Sequence, residues 1–294
     1  MKNDFNLNEE IRNNYKISKK MKKIWKIELD MLVELMRVCE KHSLKLYADS
    51  GTLLGAIRHK GFIPWDDDID VVMLREDYNK LINLPQTEFN KPYFLQTAYS
   101  DIEYYRSHAQ LRNSNTAAIL PHEGKNVKFN QGIFIDIFPL DELSRFKFIQ
   151  KRKVQKLNKK IKQMQIIINK NESKNKIKYC IKELIKKRYK NSHLKIYKKF
   201  EKISSKNLFH SDYIDAVSFL REYDKYSFMK KEWYKETIYV PFENIMIPIP
   251  KEYDNVLKAM YGKDYMIPKN IPTEHGEVLF DPDYSYKEVL EKMH

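Results

Sequence analysis

The sequence predicts an α+β fold carrying an added basic helical segment. Three observations predict it. Short apolar, β-branched runs at 44–48, 69–74 and 131–141 alternate with stretches of helical periodicity. Four carboxylates, Asp66, Asp67, Asp68 and Asp70, lead straight into the second of these runs. Residues 145–206 hold 23 Lys and Arg against three acids, a net charge of +20 where the whole 294-residue chain carries +14. The remainder is therefore net acidic, and the basic excess lies away from the carboxylates.

Taken in order, residues from about Asn8 to His42 read as one helix. Ile24, Ile27, Met31, Leu32, Leu35 and Cys39 fall at helical spacing and predict a core-facing stripe. Leu44–Ala48 predicts a short strand, and Asp49-Ser50-Gly51 a turn. Thr52–Arg58 then predicts a short helix, whose free N-terminal amides suit a phosphate. Ile69–Leu74 is a buried strand whose alternation, carried back, puts Asp66, Asp68 and Asp70 on one face and Asp67 on the other. A helix follows over Asp77–Leu84, ended by Pro85, then strands at Tyr93–Thr97 and His108–Arg112.

Gln131–Asp141 reads as an apolar strand with Asp136 as the charge inside it. Residues 144–206 predict two or three long amphipathic helices. Phe242–Pro250 predicts an edge strand stopped by prolines. Glu252–Tyr261 predicts a helix capped by Gly262, and the chain ends in a loop and a short helix.

Apolar content of 42% and aromatic content of 13% exclude a disordered chain. Cys39 and Cys180 both lie in helix-like patterns, so no disulfide framework is implied and a reducing compartment fits. Met1–Phe5 lacks the apolar core of a leader, and there is no run of about 18 apolar residues. The expected location is cytoplasmic, peripheral on the inner face of the cell membrane. The basic segment reads as a solvated face over a packed stripe, or as a surface for anionic lipid or an anionic polymer. No nucleic-acid module accompanies it, so nucleic acid is not expected as a partner.

The chemistry concentrates in two places. Carboxylates crowded at the edge of an apolar strand repel each other and lose hydration, which a cation relieves. An all-oxygen set suits Mg²⁺ or Mn²⁺. Asp136, buried in an apolar strand, must be protonated, paired or bound to metal; with Asp68 and Asp70 already asking for a cation, metal is the simplest choice. Arg112, at a strand end, is either a phosphate contact or an ordinary surface arginine. Trp65, beside the acids, is either core packing or an aromatic face. His275 closes the site or sits in a turn.

Asp49–Gly61 together with Ile63–Asp70 resembles the signature of the LicD family of phosphocholine transferases. Gly132–Asp141 is similar to that family's second motif. Phe242-Glu243, Pro248–Tyr253 and Tyr261–His275 resemble its C-terminal block. The family resembles the wider nucleotidyltransferase fold shared with DNA polymerase beta and the fukutin-type glycan phosphotransferases. The resemblance implies a small mixed sheet with helices, Asp68 and Asp70 as a metal-binding pair, and Asp136 as the third acid. Two departures stand out: the turn here reads Ser-Gly, not Gly-Ser, and the gap from it to the carboxylates is longer than in nucleotide polymerases.

On this likeness, residues 1–143 form a nucleotidyltransferase-like catalytic core and 144–206 a basic helical insertion. Residues 207–294 complete the core and the active site. The implied reaction is metal-dependent transfer of phosphocholine from CDP-choline to a hydroxyl of a cell-surface glycan of teichoic acid, capsule or lipopolysaccharide type, with release of CMP. Asp68, Asp70 and Asp136 are the expected catalytic and metal residues. Ser50, Gly51, Thr52, Arg58, His59, Lys60, Trp65, Arg112 and His275 are the expected substrate contacts, with Trp65 the first candidate face for the head group and Trp233 and Tyr234 the next. A lipid-linked acceptor would give the basic segment a membrane to meet. The rival readings are another CDP-alcohol or CMP-phosphonate donor, a nucleotidyltransferase using a nucleoside triphosphate, and a non-catalytic polyanion adaptor.

Overall fold

The computed structural model describes residues 5–101, 103–168, 193–206, 210–220, 222–268 and 278–293. The chain opens on a hairpin, β1 (Glu10–Arg12) and β2 (Tyr15–Ile17), where a helix was expected. Asn13 and Asn14 make the turn with φ of 48° and 59°. Left-handed asparagines in a two-residue turn match the twist of a hairpin, and this local preference stops the helix from extending back to Asn8. Helix α1 (Lys19–Lys41) begins after Ser18, whose hydroxyl accepts the Met21 amide at 3.1 Å. Its Ile24, Leu32, Leu35 and Cys39 are buried as the spacing predicts.

Strand β3 (Tyr47–Ala48) leads to α2 (Ser50–His59), then β4 (Asp70–Leu74) and α3 (Arg75–Ile82). The strand starts only at Asp70, so Asp66–Asp68 lie in the loop before it rather than in its period. Next come β5 (Tyr93–Gln96), β6 (Ala109–Asn113), β7 (Ala117–Ile119) and the central β8 (Ile133–Glu142). β8 pairs in parallel with β4 and antiparallel with β6, so the sheet is mixed. The register sets Asp70 opposite Asp136, and Gln110 opposite Asp136 on the other side. Nine of the ten β8 residues are buried.

Helices α4 (Lys147–Ile168) and α5 (His193–Ser205) pack through Leu157, Met164, Tyr197 and Phe200 into a second cluster with Tyr104 and Phe129. They are tied to the sheet through Asp141 near the end of β8. It accepts two bonds from Arg75, at 2.7 and 2.6 Å, and one from the Ser204 hydroxyl at 2.5 Å. Short strands β9 (Tyr213–Asp215) and β10 (Met229–Lys230) extend the sheet past β8.

The expected single edge strand is a hairpin, β11 (Thr237–Phe242) with β12 (Ile245–Pro250). Its turn turns on Glu243, with φ of 52°. Helix α6 (Tyr253–Tyr261) ends at Gly262, with φ of 86°. β13 (Leu279–Asp281) pairs with β7, and α7 (Tyr286–Lys292) closes the described chain with a Ser285/Glu288 capping box.

Candidate active site

The site forms where α2, β4 and β8 begin or meet. Carboxylate oxygens of Asp66, Asp67 and Asp68 lie within 4.8 Å of one another. Asp67 therefore turns toward the same place as its neighbours, because a loop is free of the strand alternation that would have set it opposite. Asp70 follows on β4 with Asp136 beside it, and the Asp136 amide donates to the Ile69 carbonyl at 2.9 Å. Burial pushes the Asp70 carboxyl well up, with Asp68, Asp136, Asp49 and Asp66 adding to the rise.

The small-residue turn holds this arrangement. Thr52 is buried, and its hydroxyl accepts the Asp70 amide at 2.9 Å, so the first turn of α2 fixes the start of β4. A Cβ on Gly51 would stand 2.4 Å from Asp66 Oδ2, so only glycine lets that carboxylate approach the helix N-terminus. Ser50, with φ of 46°, donates its hydroxyl to Asp49 Oδ2 at 3.0 Å. The Asp49 side chain is buried with Oδ1 unpartnered, and burial pushes its carboxyl up to about 6.

The basic cluster lies at the other end of α2. Arg58 donates from Nε to His59 Nε2 at 2.9 Å and from Nη1 to the Tyr265 carbonyl at 3.0 Å. Burial, then Arg58 and Arg12, push His59 down to about 4, so the ring is neutral at pH 7. Lys60 is exposed, in the left-handed region at φ of 55°, and its carbonyl accepts the Glu243 amide at 2.8 Å. Glu243 also takes the Phe62 amide at 3.1 Å and both terminal nitrogens of Arg12. The β11–β12 turn thereby clamps the loop between the basic cluster and the acids. Trp65 is half-buried, edge-on to Tyr15 at 6.1 Å and to His59 at 6.5 Å.

Arg112 is a correction. It is fully buried and donates to Gln96 Oε1, the Gly132 carbonyl and Gln110 Oε1 at 2.7, 2.7 and 2.5 Å. β6 lies between β5 and β8, so the arginine points into the interior and not at a phosphate. It holds the Gln110 amide, whose Nε2 donates to Asp136 Oδ1 at 2.6 Å. His108 Nε2 reaches the same oxygen at 3.1 Å. Tyr234 is likewise buried, edge-on to Tyr47 at 5.3 Å; Trp233 is half-buried against the core. His275 lies outside the described residues, as does Cys180.

Four groups were missed. Glu28 on α1 is buried, and its carboxyl is pushed well up by burial and by Asp68, Asp67, Asp66 and Asp70. The signal was available: it sits four residues from both Ile24 and Leu32, inside the apolar stripe. Tyr261, at the end of α6, has its hydroxyl raised by burial and by Asp49, Asp70, Asp66 and Asp68, which sets it by the acids. Gln110 and His108 carried no sequence signal beyond lying in a strand.

An all-oxygen set with unpartnered buried oxygens, Glu28 Oε2 and Asp49 Oδ1, fits a hard divalent cation. Accumulated negative charge beside a helix N-terminus is the setting of an enzyme acting on phosphates. Comparison with known proteins agrees. Residues 43–161 match the family model described as the LicD/FKTN/FKRP nucleotidyltransferase domain.

The chain is 30% identical over 274 residues to the lipopolysaccharide cholinephosphotransferase LicD of Haemophilus influenzae, covering 85% of this chain and 91% of that one. An uncharacterized protein of Rickettsia prowazekii is 37% identical over 86 residues, 29% of this chain and 30% of its own. The chain belongs to the LicD family, and is an enzyme of that phosphotransferase kind.

Proposed function

We propose that the chain moves phosphocholine from CDP-choline to a hydroxyl of a cell-surface glycan and releases CMP. The observation that carries this is the Asp70–Asp136 pair on adjacent strands, with the Asp70 carboxyl pushed up by burial and then by Asp68 and Asp136. The mixed sheet, with Asp70 at the start of β4 and Asp136 beside it in β8, supports a nucleotidyltransferase-like core over 1–143, completed by 207–294.

Asp68, Asp70 and Asp136 would hold Mg²⁺ or Mn²⁺. When bound, that ion supplies charge neutralisation on the diphosphate and the departing CMP. The acceptor oxygen forms the new bond to phosphorus while the bond to CMP breaks. Asp136 takes the hydroxyl proton, its rotation fixed by Gln110 and His108 on Oδ1. Positioning and charge do most of the work in such a displacement.

Lys60 and Arg58, at the end of α2 away from the acids, are the basic groups that could meet phosphate oxygens. Trp65, with Tyr15 and His59 around it, offers an aromatic face to a quaternary ammonium, with Tyr261 as a second.

The lipopolysaccharide cholinephosphotransferase relative supports a lipopolysaccharide-type, lipid-linked acceptor. The exposed face of α4 supports peripheral contact with anionic lipid at the inner membrane face. It presents Lys151, Arg152, Lys156, Lys159 and Lys162, and α4 contains no acid. Phe146 and Phe148 at its start are 53% and 62% exposed. Each basic residue near such a surface contributes about 1 kcal/mol. No helix among the described residues is long and apolar enough to cross a membrane.

The test is CMP release with Mg²⁺ or Mn²⁺ from CDP-choline, CDP-ethanolamine, CDP-glycerol and CDP-ribitol. A clear preference for CDP-choline supports the reading. Diphosphate release from a nucleoside triphosphate, with no CMP from any donor, removes it.

A further inference from the structure

The sheet face that carries the acids continues past them. Asp70, Asp136 and Gln110 form one row across β4, β8 and β6. Phe138, two residues on from Asp136 in β8, points the same way. His108, just before β6, packs on Phe138 with ring centroids 4.4 Å apart, while its Nε2 reaches Asp136 Oδ1 at 3.1 Å. Both rings are buried. Phe219 lies against this pair, 4.7 Å from the Phe138 ring and 5.5 Å from the His108 ring. One imidazole thus stands between Phe219 and the carboxylate proposed to take the acceptor proton, yet Phe219 is 42% exposed. A tied turn holds it there. The Phe219 and Leu220 amides both donate to the Ala216 carbonyl, at 2.9 and 2.8 Å. Asp215, buried, accepts the Ala216 and Ser227 amides at 2.8 and 2.7 Å. Val217 packs into the cluster formed with α4 and α5, and Leu220 touches both that cluster and the main core. The turn is therefore the seam between the sheet and the basic helices.

We propose that Phe219 is the platform for the acceptor: a pyranose ring lays its C–H face on the phenyl ring and presents a hydroxyl toward Asp136. This rests on the transfer reading above and names where the acceptor binds. A sugar ring joins an apolar face to a rim of hydroxyls, which matches an open aromatic ring flanked by a carboxylate. The side of the sheet agrees. Phe219 follows β9, which pairs with β8 on the edge away from β4. The groups offered to the donor, Arg58, Lys60 and Trp65, lie between β3 and β4, on the other side of β8. Displacement in line requires the attacking oxygen and the departing CMP on opposite sides of phosphorus. The seam with α4 and α5 is also where an acceptor held at a membrane would arrive.

The experiment compares the full chain with Phe219→Ala, Phe219→Leu and Phe219→Trp. CMP formation from CDP-choline with Mg²⁺ is measured with two kinds of acceptor: a panel of methyl hexopyranosides, and glycerol, which has hydroxyls but no ring face. Saturation-transfer NMR from the protein to the pyranoside ring protons is recorded alongside, and needs no turnover. In the Ala and Leu variants, kcat/KM for the best pyranoside should fall about tenfold relative to kcat/KM for glycerol. Phe219→Trp should restore the wild-type ratio. Ring protons should saturate with the wild type and Phe219→Trp, and lose most of that transfer with Phe219→Ala and Phe219→Leu.

An equal fall for glycerol and pyranoside overturns the platform, because Phe219 would then act only through His108 and Asp136. A rise in donor KM with the pyranoside-to-glycerol ratio unchanged also overturns it and gives the ring to cytosine. So does undiminished saturation transfer in Phe219→Ala. If no donor yields CMP, the transfer reading falls, and saturation transfer by itself decides whether Phe219 holds a sugar. Failure of both Phe219→Ala and Phe219→Leu to fold overturns the platform as well, since an exposed binding ring is not needed for folding.

Discussion

Asp70 and Asp136 are cross-strand neighbours in parallel register on β4 and β8, and the Asp136 amide closes on the carbonyl just before Asp70. Two carboxylates 66 residues apart in the chain are thereby fixed side by side by main-chain bonds. Side-chain choice alone would not hold them there against their repulsion.

Arg112 and Lys60 should separate two kinds of contribution. Arg112→Met leaves Gln110 without its anchor, so Asp136 loses its fixed rotation. We expect kcat to fall about tenfold or more with donor KM little changed. Lys60→Ala removes one exposed charge proposed to meet phosphate. It should raise donor KM about fivefold, a loss of about 1 kcal/mol, with stability unaltered. Steady-state CMP release for both variants checks the split; a KM effect for Arg112→Met would return that residue to the substrate.

Asp141→Ala should unfold the protein more easily by about 3 kcal/mol. It leaves the Arg75 guanidinium and the Ser204 hydroxyl without their shared acceptor in a dry interior. Urea midpoints read this directly. The loss should come with loosened α5, seen as faster amide exchange over residues 193–205.

Asp49 gives a pH dependence whose sign follows from its environment. Its folded carboxyl is raised to about 6 from an ordinary 3.8. Between those values the folded chain binds more protons than the unfolded chain, so this residue's contribution to stability falls as pH rises. Asp49→Asn removes that slope. The variant should match wild type below pH 4 and exceed it well above pH 6 by about 3 kcal/mol in metal-free buffer. Urea unfolding across that range is the check, and a wild-type advantage at pH 7 would contradict the assignment.

The parts of the fold written in the sequence were those set by local pattern. β8 was legible because an unbroken apolar run cannot be solvated, and Asp136 because it is the charge inside that run. Helix α6 was legible as Glu252–Tyr261, stopped by Gly262. The β1–β2 and β11–β12 hairpins were not, since each depends on left-handed residues other than glycine at its turn, Asn13, Asn14 and Glu243. Arg112 was misplaced because nothing local says that β6 is an inner strand. Glu28 was passed over because its partners are forty residues away, and a helical stripe reads the same whether it faces leucine or an acidic loop.

The central claim is that Asp68, Asp70 and Asp136 support a cation-dependent transfer from a CDP-linked donor. The most direct measurement is CMP formation from CDP-choline by wild type and Asp136→Asn, each with Mg²⁺ and with excess EDTA. The account predicts turnover by wild type with Mg²⁺, its loss in EDTA with recovery on adding Mg²⁺, and a fall of about a thousandfold in the folded variant. Undiminished CMP formation in EDTA, or by Asp136→Asn, would contradict it.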